Sequence, residues 1–122
     1  MFTNDPGAKA LLTMDSPRLL LAHTTCADTE SAERLARGLV EAHIAACVSV
    51  GQTLRSIYPW EGRIASDREV PLLIKTCPER LDALKQFIAE HHAYEVPELL
   101  ITPVIDGSEA YLGWAENWMS HD

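Results

Sequence analysis

The sequence predicts an α+β fold, a ferredoxin-like β-α-β-β-α-β sandwich with an extra C-terminal helix. Two amphipathic helical stretches alternate with short apolar runs of strand length. A Trp-Glu-Gly turn joins two of these runs in the middle of the chain and indicates a hairpin between the two halves. Such a sheet carries its helices on one face, so the other face and the edge strands need cover from another helix or other subunits. Oligomerisation is therefore expected.

The chain begins with a segment that lacks any sustained periodicity. Residues 1–17 are rich in Thr, Asn, Asp, Pro, Gly and Ser, which predicts a flexible N-terminal tail before one domain over residues 18–122. Met14 is an alternative start of translation.

The first half of the domain begins with a strand and a helix. The run Leu19 to Ala22 is apolar and of strand length, which suits a central strand. Asp28 is a suitable N-cap for the helix that follows. Apolar residues there recur at spacings of three and four, which predicts an amphipathic helix: Ala32, Leu35, Ala36, Leu39, Val40 and Ile44.

A second strand completes the first half, and a hairpin joins it to the second half. The strand Ala46–Val50 is expected to resume from Leu54 to Tyr58, before a turn made by Pro-Trp-Glu-Gly. The return arm runs from Arg63 to Thr76, and Pro71 within it lacks a ladder donor, so an edge or a bulge is expected there.

Two helices and a strand complete the second half. Pro78 can open a helix that ends near His91, and a final strand is predicted over Glu98–Ile105. Ser108 caps a terminal helix, on which three aromatic residues share one face: Tyr111, Trp114 and Trp118.

Composition excludes several classes of protein. The 122 residues carry 18 acidic and 10 basic side chains, a net charge of −8, which argues against nucleic acid as a partner. The three cysteines form no C-x-x-C pair, so neither a disulfide framework nor a zinc ribbon is predicted, and the cytoplasm is the expected compartment. No apolar run approaches about 18 residues, so no membrane association is expected.

His91 and His92 are the leading candidates for metal ligands. Imidazole is the commonest metal ligand, but adjacent helical residues diverge by about 100°, so both reach one ion only where the helix has ended. The alternative is that they face solvent and suit the helix C-terminus. Cys26 lies near His23, and a thiolate with imidazoles favours copper or zinc over magnesium or calcium. The alternative is that Cys26 packs as a small hydrophobe.

A second group of residues has the chemistry of a ligand cleft. It combines a lysine with aromatic residues and a carboxylate: Tyr58, Trp60, Lys75, Tyr94, Glu98 and Trp114. The alternative is that the aromatic residues seal a subunit interface while Lys75 pairs with Glu61 or Glu98. A cleft formed at an interface satisfies both interpretations.

The sequence carries no recognisable catalytic motif, and an enzyme is not predicted. It has no G-x-S-x-G, H-E-x-x-H, Walker or G-x-G-x-x-G pattern. A ferredoxin-like acyl phosphatase needs an orienting asparagine, but the only asparagines are Asn4 and Asn117.

Five motifs in order resemble the divalent-cation-tolerance (CutA) family between Leu19 and Trp118. They are Ala45-Ala46-Cys47-Val48, Tyr58-x-Trp60-Glu61-Gly62, Glu69-x-x-Leu72-x-Ile74-Lys75-Thr76, His91-His92-x-Tyr94-x-x-Pro97-Glu98-Leu99-Leu100 and Tyr111-x-x-Trp114. The resemblance implies a ferredoxin-like subunit in a homotrimer similar in architecture to PII signalling proteins. It also implies a cytoplasmic protein linked to tolerance of copper and other divalent ions, with no established catalytic activity.

The resemblance also implies a copper(II) site made by a cysteine at the end of the first strand and by a histidine pair. His91 and His92 match the pair, whereas Thr24 occupies the cysteine position, between His23 and the later Cys26. Either Cys26 or His23 substitutes as ligand, or binding rests on the histidines. Ala93 stands where the family often has proline.

Two functional hypotheses follow from these residues and the resemblance. The first is a divalent-ion tolerance protein that binds copper. The second is a PII-like regulatory trimer that senses a small anionic ligand in an inter-subunit cleft at Lys75 and signals to a protein partner. A purely structural trimeric scaffold is the third interpretation.

Overall fold

A computed structural model describes residues 17–121. The predicted flexible tail and the alternative start at Met14 lie outside the described residues, except for Pro17. No helix within the described range is both long and apolar enough to cross a membrane.

The elements follow the predicted order β-α-β-β-α-β-α. The first half comprises β1 (Leu20–Cys26), α1 (Thr29–Glu41) and β2 (Cys47–Val50), and the hairpin comprises β3 (Leu54–Trp60) and β4 (Arg63–Thr76). A 3₁₀ turn (Pro78–Arg80) then leads into α2 (Leu81–His91), β5 (Leu100–Pro103) and α3 (Glu109–Met119). The ferredoxin-like α+β prediction with an extra C-terminal helix is therefore confirmed.

The sheet is antiparallel throughout, with β4 at its centre. Its order is β2-β4-β1-β5, and β3 pairs with the first part of β4 beyond the end of β2. In the long pairing of β1 with β4, Leu20 lies opposite Thr76 and Cys26 lies opposite Val70. Because side chains alternate between the two faces of a strand, this register decides which residues meet the helices.

One face of the sheet is covered by α1 and α2. The main core joins this helix-covered face to the inner sides of the two helices. Its sheet residues are Ala22, Cys26, Val70, Leu72 and Ile74, and its helical residues are Ala32, Leu35, Ala36, Leu39, Leu84 and Ile88.

The opposite face of the sheet, which we call the open face, is only half-buried within the single chain. The alternate residues of β1 and β4 lie here, and each is of intermediate exposure: Leu21, His23, Thr25, Leu73 and Lys75. This is the face for which the sequence predicts cover from another helix or from other subunits, and that cover stays a prediction.

The hairpin turn is tighter than the sequence predicted. Pro59 and Trp60 lie within β3, and only Glu61 and Gly62 form the turn, with φ of 48° and 77°. Two positive φ values are those of a type I′ turn, whose twist matches that of the flanking strands. The expected Pro-Trp-Glu-Gly turn was therefore wrong by two residues, and the turn leaves Trp60 exposed on the hairpin.

The predicted irregularity at Pro71 lies in the partner of its strand. Pro71 itself is in the central strand, where its carbonyl accepts a hydrogen bond from Gly51 N–H at 2.8 Å. Val50 pairs with Leu72 and Leu54 pairs with Glu69, so residues 51–53 lie opposite only residues 70–71. The bulge is confirmed, whereas the edge position is not.

The first helix ends earlier than its apolar spacing indicated. Glu41 is its last residue, His43 adopts φ of 60°, and Ile44 N–H donates back to Leu39 O at 3.0 Å. Ile44 is buried in the core after the helix has ended.

The C-terminal helix packs through its small and aliphatic residues. Leu112, Ala115 and Met119 are buried against Leu19, Ala46 and Cys77 in a second core. The shared face of Tyr111, Trp114 and Trp118 stays exposed. The Trp118 ring nitrogen donates to Val40 O at 3.0 Å, and its ring stacks on His43 at 3.9 Å. The preceding strand β5 is shorter than the predicted Glu98–Ile105.

Gly38→Ala should lower the free energy of unfolding by about 1 kcal/mol. A Cβ at Gly38 would lie 2.7 Å from Phe87 Cζ, and overpacking of about 1–3 kcal/mol exceeds the roughly 1 kcal/mol gain in helix propensity. The matched control is Gly113→Ala in α3, where a Cβ meets nothing within 4 Å and stability should rise. Urea denaturation measures both, and equal stabilisation by the two changes would contradict the predicted close approach of α1 and α2.

Candidate functional site

A groove between α1 and the end of α2 brings together three of the predicted metal ligands. Its volume is about 530 Å³, and Cys26, His91 and His92 all line it. His23 and Thr24 are not among its lining residues. The groove is therefore the place where the candidate donor atoms converge.

His91 is held by an aromatic stack. Its imidazole lies on the Phe87 ring, with centroids 4.0 Å apart, and Gly38 leaves the space that the Phe87 ring fills. His91 Nδ1 lies 3.0 Å from Phe87 O. Since a carbonyl only accepts hydrogen bonds, Nδ1 carries the proton and Nε2 keeps its lone pair. His91 is thus in the tautomer in which Nε2 can bind a metal.

His92 is in the opposite tautomer. It is the C-cap of α2 and has an extended backbone, so its side chain diverges from that of His91. The Tyr94 backbone N–H donates to His92 Nδ1 at 3.1 Å, and His92 Nε2 lies 2.7 Å from Thr25 O. Since a backbone N–H only donates, the proton is on Nε2, which donates to Thr25 O. Both nitrogens of His92 are therefore occupied by hydrogen bonds.

Cys26 is the sulfur closest to this histidine. Its Sγ lies 3.9 Å from His92 Nε2. Metal–ligand bonds of about 2.3 Å to sulfur and 2.0 Å to nitrogen span this spacing at an angle of about 130°, and a tetrahedral angle needs a spacing of about 3.5 Å. The observed spacing is longer than a tetrahedral pair needs, and His92 Nε2 already donates to Thr25 O at 2.7 Å, so an ion binds this pair only after His92 has moved away from Thr25.

Burial keeps Cys26 in the thiol form. Desolvation raises the pKa of Cys26, and the charges of Asp28 and Glu69 raise it further. The groove rim adds the guanidinium groups of Arg34 and Arg37 and the carboxylate of Glu41. Over residues 17–121, no three His, Cys, Asp or Glu side chains are grouped closely enough to hold an ion. The donors thus form a partial set that is not organised for metal as it stands.

The two other candidates on β1 lie elsewhere. Thr24, at the cysteine position of the resemblance, is 1% exposed on the helix-covered face, and its Oγ1 has no hydrogen-bond partner. His23 lies on the open face, where its pairing neighbours are Leu73 and Leu100. Neither side chain is brought to the groove.

A carboxylate network that the sequence did not single out as a site lies beside His92. Glu69 Oε2 accepts hydrogen bonds from Thr25 Oγ1 at 2.9 Å and from the Tyr94 hydroxyl at 3.1 Å. Desolvation and the bond to Glu69 raise the pKa of Tyr94 to about 12. The signal in the sequence was Glu69 itself, a charged residue one position before a buried strand segment.

The six predicted cleft residues do not meet within one chain. Tyr94 bonds to Glu69, whereas Lys75 is six residues further along β4, which is about 20 Å of strand. Lys75 Nζ donates to Ser49 Oγ at 2.8 Å and lies 3.7 Å from Cys47 Sγ. Its expected ion pair with Glu61 or Glu98 is absent from the described residues.

The remaining cleft candidates lie apart from both Tyr94 and Lys75. Tyr58 donates to Asp67 within the hairpin. Trp114 contacts Tyr111 on α3, with ring centroids 5.5 Å apart, while Trp60 and Glu98 are exposed. The set becomes one cleft only if a second subunit adds its own residues.

Fold and site together define a small ferredoxin-like domain with a partial set of sulfur and imidazole donors in a groove between two helices. The family model described as "CutA1 divalent ion tolerance protein" matches residues 20–118. The chain therefore belongs to the CutA1 divalent ion tolerance family. The family is defined by ion tolerance and not by a catalysed reaction.

Curated relatives and solved structures agree with this assignment. The CutA homolog of Xenopus laevis is 41% identical over 81% of this chain and 66% of its own length. The chloroplastic CutA of Arabidopsis thaliana is 36% identical over 80% of this chain, which spans 54% of that relative. The chain thus spans between about half and two thirds of these relatives.

Among solved structures, CutA1 from Shewanella sp. SIB1 superposes with a TM-score of 0.82 and 43% identity. The match covers 85% of this chain and 97% of that one. The divalent cation tolerance protein from Thermus thermophilus superposes with a TM-score of 0.77 and 36% identity, covering 80% and 94% of the two chains.

Thr24→Val should leave stability unchanged or raise it by about 1 kcal/mol, because it removes a buried hydroxyl that has no partner. The matched control is Thr76→Val on the same face. Thr76 is equally buried but donates to Ile44 O at 2.7 Å, so its loss should cost about 1–3 kcal/mol. Chemical denaturation compares the two, and a loss at Thr24 as large as at Thr76 would show that Thr24 has a bonding role.

Proposed function

We propose that this chain binds copper and related divalent ions in the groove between α1 and α2, and that it acts in the response to and tolerance of such ions in the cytoplasm. The spacing of 3.9 Å between Cys26 Sγ and His92 Nε2 carries the proposal. His91 supplies an imidazole with a free Nε2 from the same groove. The family to which the chain belongs supports the link to ion tolerance.

The chemistry of the donors selects the class of ion. A thiolate with imidazoles prefers copper or zinc to hard cations such as magnesium. Binding converts the Cys26 thiol to a thiolate and releases its proton. Because burial raises the pKa of this thiol, it weakens metal binding at a given pH. We assign Cys26 as the replacement for the family cysteine, because it lines the groove and neither Thr24 nor His23 does.

Metal binding should occur near one ion per chain and should depend on the groove residues. Calorimetric titration of metal-free protein with copper(II), repeated with redox-inert zinc, is expected to lose most of its binding in Cys26→Ala and in His91→Ala/His92→Ala. His23→Ala is the matched control, since His23 lies on the open face, and it should bind as the wild type does. Binding unchanged in the groove variants, or lost in His23→Ala, would contradict the assigned ligands.

A second candidate function is supported by Lys75. Its ammonium group lies on the open face, where its polar contacts within the described residues are the Ser49 hydroxyl and the Cys47 sulfur. An ammonium without a carboxylate can bind an anion. We therefore also propose a homotrimer in which the cleft residues of neighbouring chains combine around Lys75, as in a PII-like sensor of a small anionic ligand with a protein partner.

The assembled cleft can be tested in two steps. Sedimentation should give a mass of three times the 13.5 kDa of one chain. Inorganic phosphate and succinate should then perturb the NMR signals of the open face in the wild type and in Lys85→Ala, but not in Lys75→Ala. A monomeric mass, or equal perturbation in both lysine variants, would contradict the cleft.

A further inference from the structure

The three cysteines of the chain are all free, but they lie in different surroundings. Cys26 and Cys77 are only 3% and 6% exposed, and desolvation raises the pKa of both thiols. The thiolate is the nucleophilic form of cysteine, so thiols buried in apolar surroundings are inert. Cys47 is only half-buried. It is therefore the cysteine that reagents in solvent can reach while the protein is folded.

Cys47 lies beside a lysine on the open face. In the pairing of β2 with β4 it is directly opposite Lys75, and Lys75 Nζ lies 3.7 Å from Cys47 Sγ. The ammonium group also donates to Ser49 Oγ at 2.8 Å. Because an ammonium group has three donors, these two contacts leave one donor for a molecule that approaches the sulfur.

Tyr111 brings a second donor to the same sulfur from α3. Burial raises the pKa of Tyr111, and the charge of Cys47 and a hydrogen bond between the two side chains raise it further. The Tyr111 ring also contacts the Trp114 ring, with centroids 5.5 Å apart. Donors fixed beside a reacting atom stabilise the negative charge that a reaction creates there. Cys47 is thus flanked by two such donors, and the three residues come from three elements of one chain.

We propose that Cys47 is a nucleophilic modification site that reacts with small electrophiles and with hydrogen peroxide, and that Lys75 assists by stabilising the negative charge on the incoming molecule and its leaving group. The site is made by residues of a single chain. The proposal therefore depends neither on metal binding in the groove between α1 and α2 nor on assembly of a trimer.

The reaction with peroxide can be written with these groups alone. The Cys47 thiol gives its proton to solvent, and the thiolate attacks one oxygen of hydrogen peroxide. The S–O bond forms as the O–O bond breaks, so the sulfur loses two electrons and the peroxide gains them. The departing hydroxide takes a proton from the Lys75 ammonium, which regains one from solvent. The products are a sulfenic acid on Cys47 and water.

Alkylation measures the reactivity of all three thiols in one experiment. The folded protein is treated with anionic iodoacetate or with neutral iodoacetamide, and mass spectrometry of its peptides follows the label on each cysteine over time. Cys47 should be labelled first by both reagents. Cys26 and Cys77 should be labelled only as the structure around them opens, since both are buried.

The contribution of the lysine charge is measured by comparing the two reagents. Lys75→Met should slow the reaction of Cys47 with iodoacetate by about 2- to 5-fold, which is the range for one pair of partly exposed charges, and should slow iodoacetamide less. Lys75→Arg keeps the charge and should keep the wild-type ratio of the two rates. Lys85→Met is the matched control, because Lys85 is an exposed lysine on α2, and it should react as the wild type does.

Three results would overturn the proposal. The first is labelling of Cys26 or Cys77 as fast as that of Cys47. The second is a ratio of the iodoacetate rate to the iodoacetamide rate that is the same in Lys75→Met as in the wild type, a readout that a general loss of stability does not imitate. The third concerns peroxide, after which dimedone should trap a sulfenic acid on Cys47, and a failure to trap it there would exclude the oxidation step.

Discussion

The pairing of β1 with β4 is the constraint on which the rest of the structure depends. Its seven-residue register sets Ala22 opposite Ile74 and Cys26 opposite Val70, which commits the even-numbered residues of both strands to the helices. A slip by one residue would exchange the faces and place lysine and histidine side chains in the core. The same register places Cys26 in the groove and His23 on the open face. It therefore separates the candidate metal ligand from the face that carries Lys75.

Local chemistry explains why most of the fold could be predicted. Asp28 and Ser108 are N-caps whose side chains accept from Ser31 N and Tyr111 N, and such bonds involve neighbours in sequence. The errors arose where distant packing overrides local pattern. Ile44 continues a helical spacing yet lies in a loop, because burial in the core also demands an apolar residue. Trp60 belongs to a strand because a two-residue turn suits the twist of the hairpin.

The site was less predictable than the fold for a related reason. Residue types in the sequence indicate His91, His92 and Cys26 as candidate ligands, but they do not indicate the tautomers that separate the two histidines. Those depend on Phe87 O and on the Tyr94 backbone, which carry no signal in residue identity. Glu69 was missed as a site residue because a carboxylate within a strand usually faces water. Thr25 links the two sides of the sheet, since its carbonyl bonds to a groove residue and its hydroxyl bonds to Glu69.

The extra residue opposite Pro71 has a geometric consequence for larger structures. Residues 51–53 face only two residues of β4, and a bulge of this kind bends its strand and increases the local twist. The hairpin beyond the bulge therefore points in a different direction from the main sheet, and the number of residues in the bulge sets that direction. Copies of a chain that meet head to tail close into a ring only when the rotation between neighbouring copies completes a full turn, and otherwise they grow into a fibre. Deleting one of residues 51–53 would remove the extra residue and change the direction of the hairpin. It would thus alter the symmetry of any assembly built through the hairpin, although every side chain of β3 would be unchanged.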